Sequence, residues 1–217
     1  MIKLYGIGLS NYYNMVKLSL TEKGLDFEEV MAEPSQEADY TSKSPMGKVP
    51  CIETPDGFLS ETAGIMGYLE ALQPSPALLP SNPYARGKVL EMMRIMELYI
   101  ELQVRRHYNE VFFGGERNQA AFDEAKPVME NGLKALKQVG SFSPYFAGSD
   151  FTFADIFAAY TFCYAVPTAQ AIYGWDIMSE VPGLQGAVDT TNAREAGAKV
   201  AADHGAALKA FQEAAAA

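Results

Sequence analysis

Ser10 is a hydroxyl residue placed where a strand ends and a helix begins. Ile2–Ile7 is a short apolar run typical of a strand, and the stretch after Ser10 and Asn11 has helical character up to Gly24. Both polar residues are good helix caps. A hydroxyl at such a turn can donate a hydrogen bond to an anion, and the positive end of the helix dipole acts in the same direction. Ser10 is therefore a candidate for stabilising a negative charge, and plain helix capping is the alternative.

A second candidate anion site lies at Glu61 and Thr62. The runs Val49–Thr54 and Phe58–Leu59 flank a Pro-Asp-Gly turn, which predicts a hairpin. A helix follows it, and Ser60 is predicted to be the N-cap. Free N–H groups and the helix dipole make such an N-terminus suitable for a carboxylate. The alternative is that these residues are simply a good helix start.

Further candidate site residues are one proline, two lysines and one histidine. Pro50 lies near the start of a predicted strand, where proline costs a ladder hydrogen bond, so it could be an edge-strand or bulge proline. Lys48 and Lys43 precede it, and each could pair with a ligand carboxylate or be only a solvated charge. His107 follows two arginines on a predicted helix that should border a cleft. It could contact a substrate there or lie on a solvated polar face.

The bulk composition excludes several classes of protein. The 217 residues are 48% hydrophobic and 20% charged, which is typical of a globular chain, and the net charge of −10 argues against a nucleic-acid partner. No apolar run approaches the roughly 20 residues that span a bilayer, and no signal peptide opens the chain. Cys51 and Cys163 are too few for a disulfide framework, and no zinc spacing, phosphate loop or dinucleotide fingerprint occurs. We expect a cytoplasmic protein with no metal and no membrane partner.

Two kinds of pattern divide the chain into predicted domains. The order β-α-β, a connection, then β-β-α predicts helices packed on one small mixed sheet in residues 1–76. Closely spaced prolines then predict a linker at residues 77–83. Beyond it we find only helical patterns, so residues 84–217 are predicted to be all-helical. The predicted helices are Tyr84–Val111, Gln119–Val139, Phe153–Ile172 and Pro182–Phe211.

Three of these signals, in this order and spacing, resemble the cytosolic glutathione transferase family. They are Tyr5–Ser10, Ser44–Pro50 followed by Glu61 and Thr62, and Phe151–Ile156 in the helical half. The resemblance covers nearly the whole chain and is closest to serine-type, theta- or phi-like members of bacterial type. It implies an α/β thioredoxin-like N-terminal domain plus an all-α C-terminal domain, which is the glutathione transferase fold. It also implies a homodimer.

The resemblance assigns a part of glutathione to each motif. It implies a cis peptide bond before Pro50, which turns the N–H and C=O of Val49 outward to pair with the cysteinyl unit as an added strand would. The γ-glutamyl end would bind at Glu61 and Thr62. At the position of Thr62, serine is commoner than threonine in the family. Lys48 would pair with the glycyl carboxylate, with Lys43 as the weaker candidate.

Ser10 is the catalytic residue that the resemblance implies, because it would keep the glutathione sulfur as a thiolate. Tyr5 could mimic the tyrosine of other classes, but at this spacing we interpret it as sheet packing. Asn11 and Tyr12 could contact the site. No cysteine occupies the turn, which argues against members that form a mixed disulfide. His107 is a further possible neighbour of the active site.

Three functional hypotheses follow from the resemblance. The first is a detoxifying transferase that adds the glutathione thiolate to a small, electrophilic, partly apolar second substrate, whose identity the helical half determines. The second is a glutathione-dependent peroxidase. The third is a non-catalytic binding or dimerisation module of the same fold. Glutathione is the expected co-substrate in the first two.

Overall fold

The computed structural model describes residues 1–216 and divides the chain into two compact units. Ala217, the last residue of the predicted helical domain, lies outside the described residues. The first unit contains Met1–Leu78 together with the segment from Asn192 onward, and the second is Leu79–Thr191. The sequence assigns the last residues to the helical domain, but their contacts are with the first unit.

The N-terminal part of the first unit consists of a four-stranded mixed sheet and three helices. Its elements are β1 (Ile2–Gly6), α1 (Asn11–Glu22), β2 (Phe27–Met31), α2 (Ala38–Thr41), β3 (Cys51–Thr54), β4 (Gly57–Ser60) and α3 (Thr62–Leu72). The strand order is β2-β1-β3-β4, with β1 and β2 parallel and the other neighbours antiparallel. This confirms the predicted thioredoxin-like domain.

The core of this unit lies between the sheet and two helices. Its apolar residues alternate along the strands and recur at helical spacing along α1 and α3, as the two periods require. The fully buried members are Leu4 and Ile52 on strands, Val16 and Leu20 on α1, and Ile65 and Leu69 on α3.

Every regular element described between Leu79 and Thr191 is helical, which confirms the all-α domain. These are α4 (Pro83–Met96), a π-helical turn (Glu97–Glu101), α5 (Leu102–Val104), a 3₁₀ turn (Arg105–His107), α6 (Tyr108–Phe113), α7 (Gln119–Val139), α8 (Phe153–Tyr173) and α9 (Leu184–Ala193). One long predicted helix is thus interrupted by non-α turns. The predicted helix Pro182–Phe211 is two helices, α9 and α10 (Glu195–Ala216).

A capping box starts α8, the most buried helix of the second unit. The Thr152 Oγ1 accepts from the Ala154 N–H at 3.3 Å, and Asp155 Oδ2 accepts from the Thr152 N–H at 2.8 Å. Asp155 Oδ1 also accepts from the Phe146 N–H at 2.8 Å. In this capping box, aspartate takes the position that Glu or Gln usually occupies.

Candidate active site

Three motifs meet at one end of the sheet because of strand register. Cys51, the first residue of β3, lies opposite Tyr5 on β1 and opposite Ser60 on β4. β1 leaves the sheet just after this row, toward Ser10. β3 enters the sheet just before it, from Pro50, and β4 leaves it toward Glu61. The register therefore brings the Ser10 turn, the Pro50 loop and the start of α3 to the same end of the sheet.

Ser10 is the N-cap of α1. Its backbone has φ −77° and ψ 121°, and its Oγ accepts from the Tyr13 N–H at 3.3 Å. A serine hydroxyl has two acceptor lone pairs and one donor proton. Capping uses a lone pair and leaves the O–H able to donate, so the two roles considered for Ser10 are compatible.

Asn14 fixes the turn that carries Ser10. It is 1% exposed, and its Nδ2 donates to the Gly8 carbonyl at 2.7 Å and to the Ser10 carbonyl at 3.0 Å. Both carbonyls are thereby directed toward Asn14. We did not identify this residue from the sequence, although an asparagine one helical turn after a candidate cap is a usable signal.

Gly6 allows Tyr13 to pack against the end of β1. Gly6 has φ +157°, and a Cβ there would lie 2.4 Å from the Tyr13 ring. The Tyr13 hydroxyl donates to Glu29 at 2.5 Å, and burial, with help from this bond, raises its pKa. Glycine is therefore required by the close approach of the ring, and the Tyr13 hydroxyl is directed at β2.

The tyrosine alternative, Tyr5, donates its hydroxyl proton to Glu53 at 2.6 Å. This hydrogen bond to the carboxylate, with burial and the nearby negative charge, raises the pKa of Tyr5 to about 12. Its ring packs edge-on against Phe58. A hydroxyl with its proton committed to Glu53 is a poor donor to another anion, so this geometry favours sheet packing. Asn11, which is buried, and Tyr12, which is half-buried, follow Ser10 in the first turn of α1.

The peptide bond between Val49 and Pro50 is cis, which confirms that prediction. Val49 lies just outside the paired register of β3, which begins at Cys51. The Ser44 hydroxyl and the Tyr40 hydroxyl both donate to the Lys48 carbonyl, at 2.7 and 3.2 Å. The loop backbone next to Val49 is thus fixed by two buried residues.

Gly47 closes the same loop with φ +64°. Its N–H donates to the Ser44 carbonyl at 2.7 Å, and its own carbonyl accepts from the Ser35 N–H at 2.9 Å. A Cβ at Gly47 would lie 2.3 Å from the Ser35 carbonyl oxygen. Both the dihedral angle and the close backbone approach therefore require glycine.

The two candidate lysines differ in their engagement. Lys43 forms an ion pair with Asp39 at 2.9 Å. Lys48 is exposed and forms no ion pair within residues 1–216. Of the two, Lys48 is the one whose ammonium group is available to a ligand carboxylate.

Glu61 adopts a strained backbone at the start of α3. Its φ of 66° and ψ of 114° place a non-glycine residue in a sparsely populated region, at a typical cost of about 1–3 kcal/mol. Glu61 itself is the N-cap, so the predicted N-cap Ser60 is wrong, because Ser60 pairs with Cys51 as the last residue of β4. The cap makes no side-chain hydrogen bond, and no acidic residue lies in the first turn. Thr62 is 7% exposed.

His107 differs from both sequence expectations, because it is 1% exposed and lies inside the second unit. Its Nε2 is 3.0 Å from the Tyr173 hydroxyl, and the two rings meet edge to face. Burial lowers its pKa. The imidazole therefore contributes to the interior of the second unit rather than to an exposed helix face.

The last helix, α10, packs on α1 beside the Ser10 turn. Lys17 on α1 pairs with Asp203 at 2.9 Å, and Arg194 pairs with Glu22 through two bonds of 2.7 Å. A Cβ at Gly8 would lie 3.1 Å from the Ala207 Cβ. These long-range ion pairs explain why the segment from Asn192 belongs to the first unit.

The described part of the chain contains neither a cluster of metal-ligating side chains nor a helix that could span a membrane. No group of three or more His, Cys, Asp or Glu side chains among residues 1–216 is arranged to hold a metal ion. None of the helices described is both long and apolar enough to cross a membrane.

Comparison with known proteins gives the family. Residues 4–77 match the glutathione S-transferase N-terminal domain, and residues 119–189 match the glutathione S-transferase C-terminal domain. A glutathione S-transferase of Pseudomonas putida (strain F1) is 41% identical over 217 residues, which cover 98% of this chain and 97% of the relative. Glutathione S-transferase Z2 of Arabidopsis thaliana is 27% identical over 168 residues, or 73% of this chain and 74% of the relative.

The solved structure of glutathione transferase F2 from Populus trichocarpa superposes with a TM-score of 0.80 at 20% identity. The superposition covers 95% of this chain and 100% of the poplar chain. At this sequence identity the likeness shows the fold alone. The family matches and the close bacterial relative show that this chain belongs to the glutathione S-transferase family. They confirm the predicted family and the assignment as a glutathione transferase.

Proposed function

We propose that this chain is a serine-type glutathione transferase that adds the glutathione thiolate to a small, electrophilic, partly apolar second substrate. The observation that carries the proposal is the row of paired residues Tyr5–Cys51–Ser60, which brings three motifs to one end of the sheet. Each motif offers a different kind of group, and together they match the parts of one extended tripeptide.

The tripeptide is held at each of its three residues in this proposal. The backbone of Val49 pairs with the cysteinyl unit, as in strand addition to a sheet edge. The first-turn N–H groups of α3 and the Thr62 hydroxyl bind the γ-glutamyl carboxylate, and the Glu61 carboxylate binds the ammonium group. Lys48 binds the glycyl carboxylate, since Lys43 is already paired with Asp39.

Ser10 supplies the chemistry in this proposal. A free thiol has a pKa of about 8.5, and lowering it by two units requires about 2.7 kcal/mol of differential stabilisation. The Ser10 O–H donates to the sulfur while its oxygen caps α1, and the N-terminus of α1 adds positive potential. Asn11 and Tyr12, in the same turn, border the sulfur.

The assembly and setting follow the family resemblance. We propose a cytoplasmic homodimer that acts in detoxification, with exposed apolar residues of α4 and the following turn, Leu90 and Tyr99, in its interface. An interface of ordinary size buries about 1,600 Å² in total. Sedimentation that shows only monomer at micromolar concentration would contradict the dimer.

The decisive experiment compares Ser10→Ala with Ser10→Thr. Loss of a hydrogen bond to a charged group costs about 1.5–3 kcal/mol, so Ser10→Ala should raise the pKa of the bound thiol and lower turnover roughly tenfold to a hundredfold. Glutathione affinity should change little, because the tripeptide contacts remain. Ser10→Thr retains the hydroxyl and should recover much of the activity.

An unchanged thiol pKa and rate in Ser10→Ala would exclude Ser10 and direct attention to Tyr12 or Asn11. Absence of glutathione binding to the unmutated protein at millimolar concentration would favour the non-catalytic module instead. Peroxidase activity that exceeds transferase activity with a generic electrophile would favour the second hypothesis.

A further inference from the structure

The turn that carries Ser10 consists of Ile7, Gly8, Leu9 and Ser10. The Ser10 N–H donates to the Ile7 carbonyl at 3.0 Å and closes the turn, and the Asn14 amide donates to the Gly8 carbonyl at 2.7 Å. Gly8 does not have a positive φ, so its dihedral angles do not require glycine. The reason for a residue without a side chain at this position therefore lies in what packs against it.

Ala207 of α10 packs against Gly8. A Cβ on Gly8 would lie 3.1 Å from the Ala207 Cβ, which is closer than side-chain carbons normally approach. Apart from Gly8 and its two chain neighbours, this methyl group is the only heavy atom in the described part of the chain within 4 Å of that position. Because carbon atoms are in favourable contact at about 3.5–4.0 Å, the lack of a side chain at residue 8 is what allows α10 to approach the turn so closely.

An ion pair one helical turn before Ala207 holds α10 on α1. Asp203 pairs with Lys17, whose side chain is only 8% exposed, at 2.9 Å. Lys17 also pairs with Glu29 of β2 at 2.8 Å, so this buried ammonium group ties α10 to the sheet as well as to α1. Ala207 follows Asp203 by four residues and therefore lies on the same face of α10. The ion pairs thus fix the helix turn that contacts Gly8.

We propose that Ala207 is a positioning residue for the Ser10 turn, so that α10 sets the place of the Ser10 hydroxyl. Asn14 holds the carbonyl of Gly8, and Ala207 limits the movement of Gly8 toward α10. Close-packed contacts transmit small displacements, so a shift at Gly8 moves the hydroxyl two residues further on. The inference rests on the proposed function, because the effect of Ala207 on the glutathione thiol passes through the turn that carries Ser10.

A coupled pair of substitutions tests the contact. Gly8→Ala places a methyl group against Ala207 and should displace the turn. We expect the pKa of the bound glutathione thiol to rise by about 0.5–1 pH unit and kcat to fall about threefold to tenfold, with the KM for glutathione unchanged within about twofold. Adding Ala207→Gly removes the opposing methyl group and should recover most of both losses. Thiolate absorbance titrated against pH and steady-state kinetics with a generic electrophile measure these effects.

Ala206→Gly is the matched control for Ala207→Gly. Ala206 is exposed and Ala207 is half-buried, and glycine weakens the helix about equally at both positions. Gly8→Ala combined with Ala206→Gly should therefore retain the catalytic defect of Gly8→Ala. Ala207→Val enlarges the side chain on the α10 side of the contact and should act in the same direction as Gly8→Ala, with Ala206→Val as its control.

Recovery that is specific to Ala207→Gly would support the proposal. Unchanged thiol pKa and kcat in both Gly8→Ala and Ala207→Val would overturn it, and so would equal recovery with Ala206→Gly. A change in the free energy of unfolding without a change in the thiol pKa would also overturn it, because the contact would then be only structural. Failure of the proposed function gives a different result. Ser10→Ala would then leave the thiol pKa unchanged, while recovery specific to Ala207→Gly would still show that α10 positions the turn.

Discussion

The side-chain amide of Asn14 donates to the Ser10 carbonyl at 3.0 Å, from a position one turn further along the same helix. A second hydrogen bond from the same nitrogen reaches Gly8. An amide nitrogen has two protons and can serve both carbonyls, whereas a carboxylate has no proton to donate at neutral pH. The conformation of the turn before α1 therefore depends on a buried residue that lies outside the proposed glutathione contacts.

Asn14→Asp should impair catalysis through the Ser10 turn. Two carbonyls lose their donor, and a carboxylate oxygen faces them instead, so we expect a raised pKa of the bound thiol and a fall in kcat that exceeds any change in KM. Thr21→Ala removes a side-chain hydrogen bond to the Lys17 carbonyl at the other end of α1 and is the control. If both variants lose stability equally and neither shifts the thiol pKa, Asn14 is only structural.

Glu61→Gly should separate stability from binding. Glycine accepts a positive φ without strain. We therefore expect the free energy of unfolding to stay the same or to rise by up to about 1 kcal/mol. Glutathione affinity should drop, because the carboxylate that we propose binds the γ-glutamyl ammonium is gone. Glu61→Gln keeps the strained backbone and loses only the charge, so it should bind as weakly without the gain in stability. Chemical denaturation and calorimetric titration measure the two effects, and full affinity in both variants would contradict the role of Glu61.

Arg194→Ala should destabilise the first unit through α10. The variant leaves Glu22, whose side chain is 8% exposed, without its bidentate partner. Because Arg194 is one-third exposed and solvent screens the pair, we expect a loss of about 1–3 kcal/mol rather than the full cost of a buried pair. Lys209→Ala, at an exposed pair on the same helix, should change the free energy of unfolding by less than about 0.5 kcal/mol. Equal effects would mean that α10 is not fixed through Arg194.

His107 should make the free energy of unfolding depend on pH below neutrality. Burial lowers its folded pKa, and of the nearby charges Glu110 opposes this shift whereas Arg106 and Arg117 support it. An unfolded imidazole takes up a proton near pH 6.5, so the unfolded state binds more protons and stability falls as the pH is lowered through that value.

His107→Gln should therefore lose less stability on acidification than the unmutated chain. His204, whose pKa burial also lowers, contributes in the same direction, so His204→Gln is the companion variant. Denaturant unfolding at several pH values measures the slopes. A slope unaffected by His107→Gln would show that this imidazole is not protected from protonation.

The sequence by itself determined the local elements and the order of the motifs. The range Gln119–Val139 is the helix that its pattern predicts, and Phe27–Met31 is the predicted strand. The capping box of Thr152 and Asp155 was also predictable. These features depend on residues within a few positions of one another, so propensity and periodicity along the chain are sufficient to specify them.

Only the tertiary structure decided which distant residues meet. The register that places Cys51 between Tyr5 and Ser60 depends on strand pairing, and the pairing of α10 with α1 joins residues such as Glu22 and Arg194 that lie far apart in the chain. The positive φ of Glu61 and the burial of His107 likewise follow from packing that no short segment specifies. Local sequence sets which conformations each segment prefers, whereas long-range burial and ion pairing select among them.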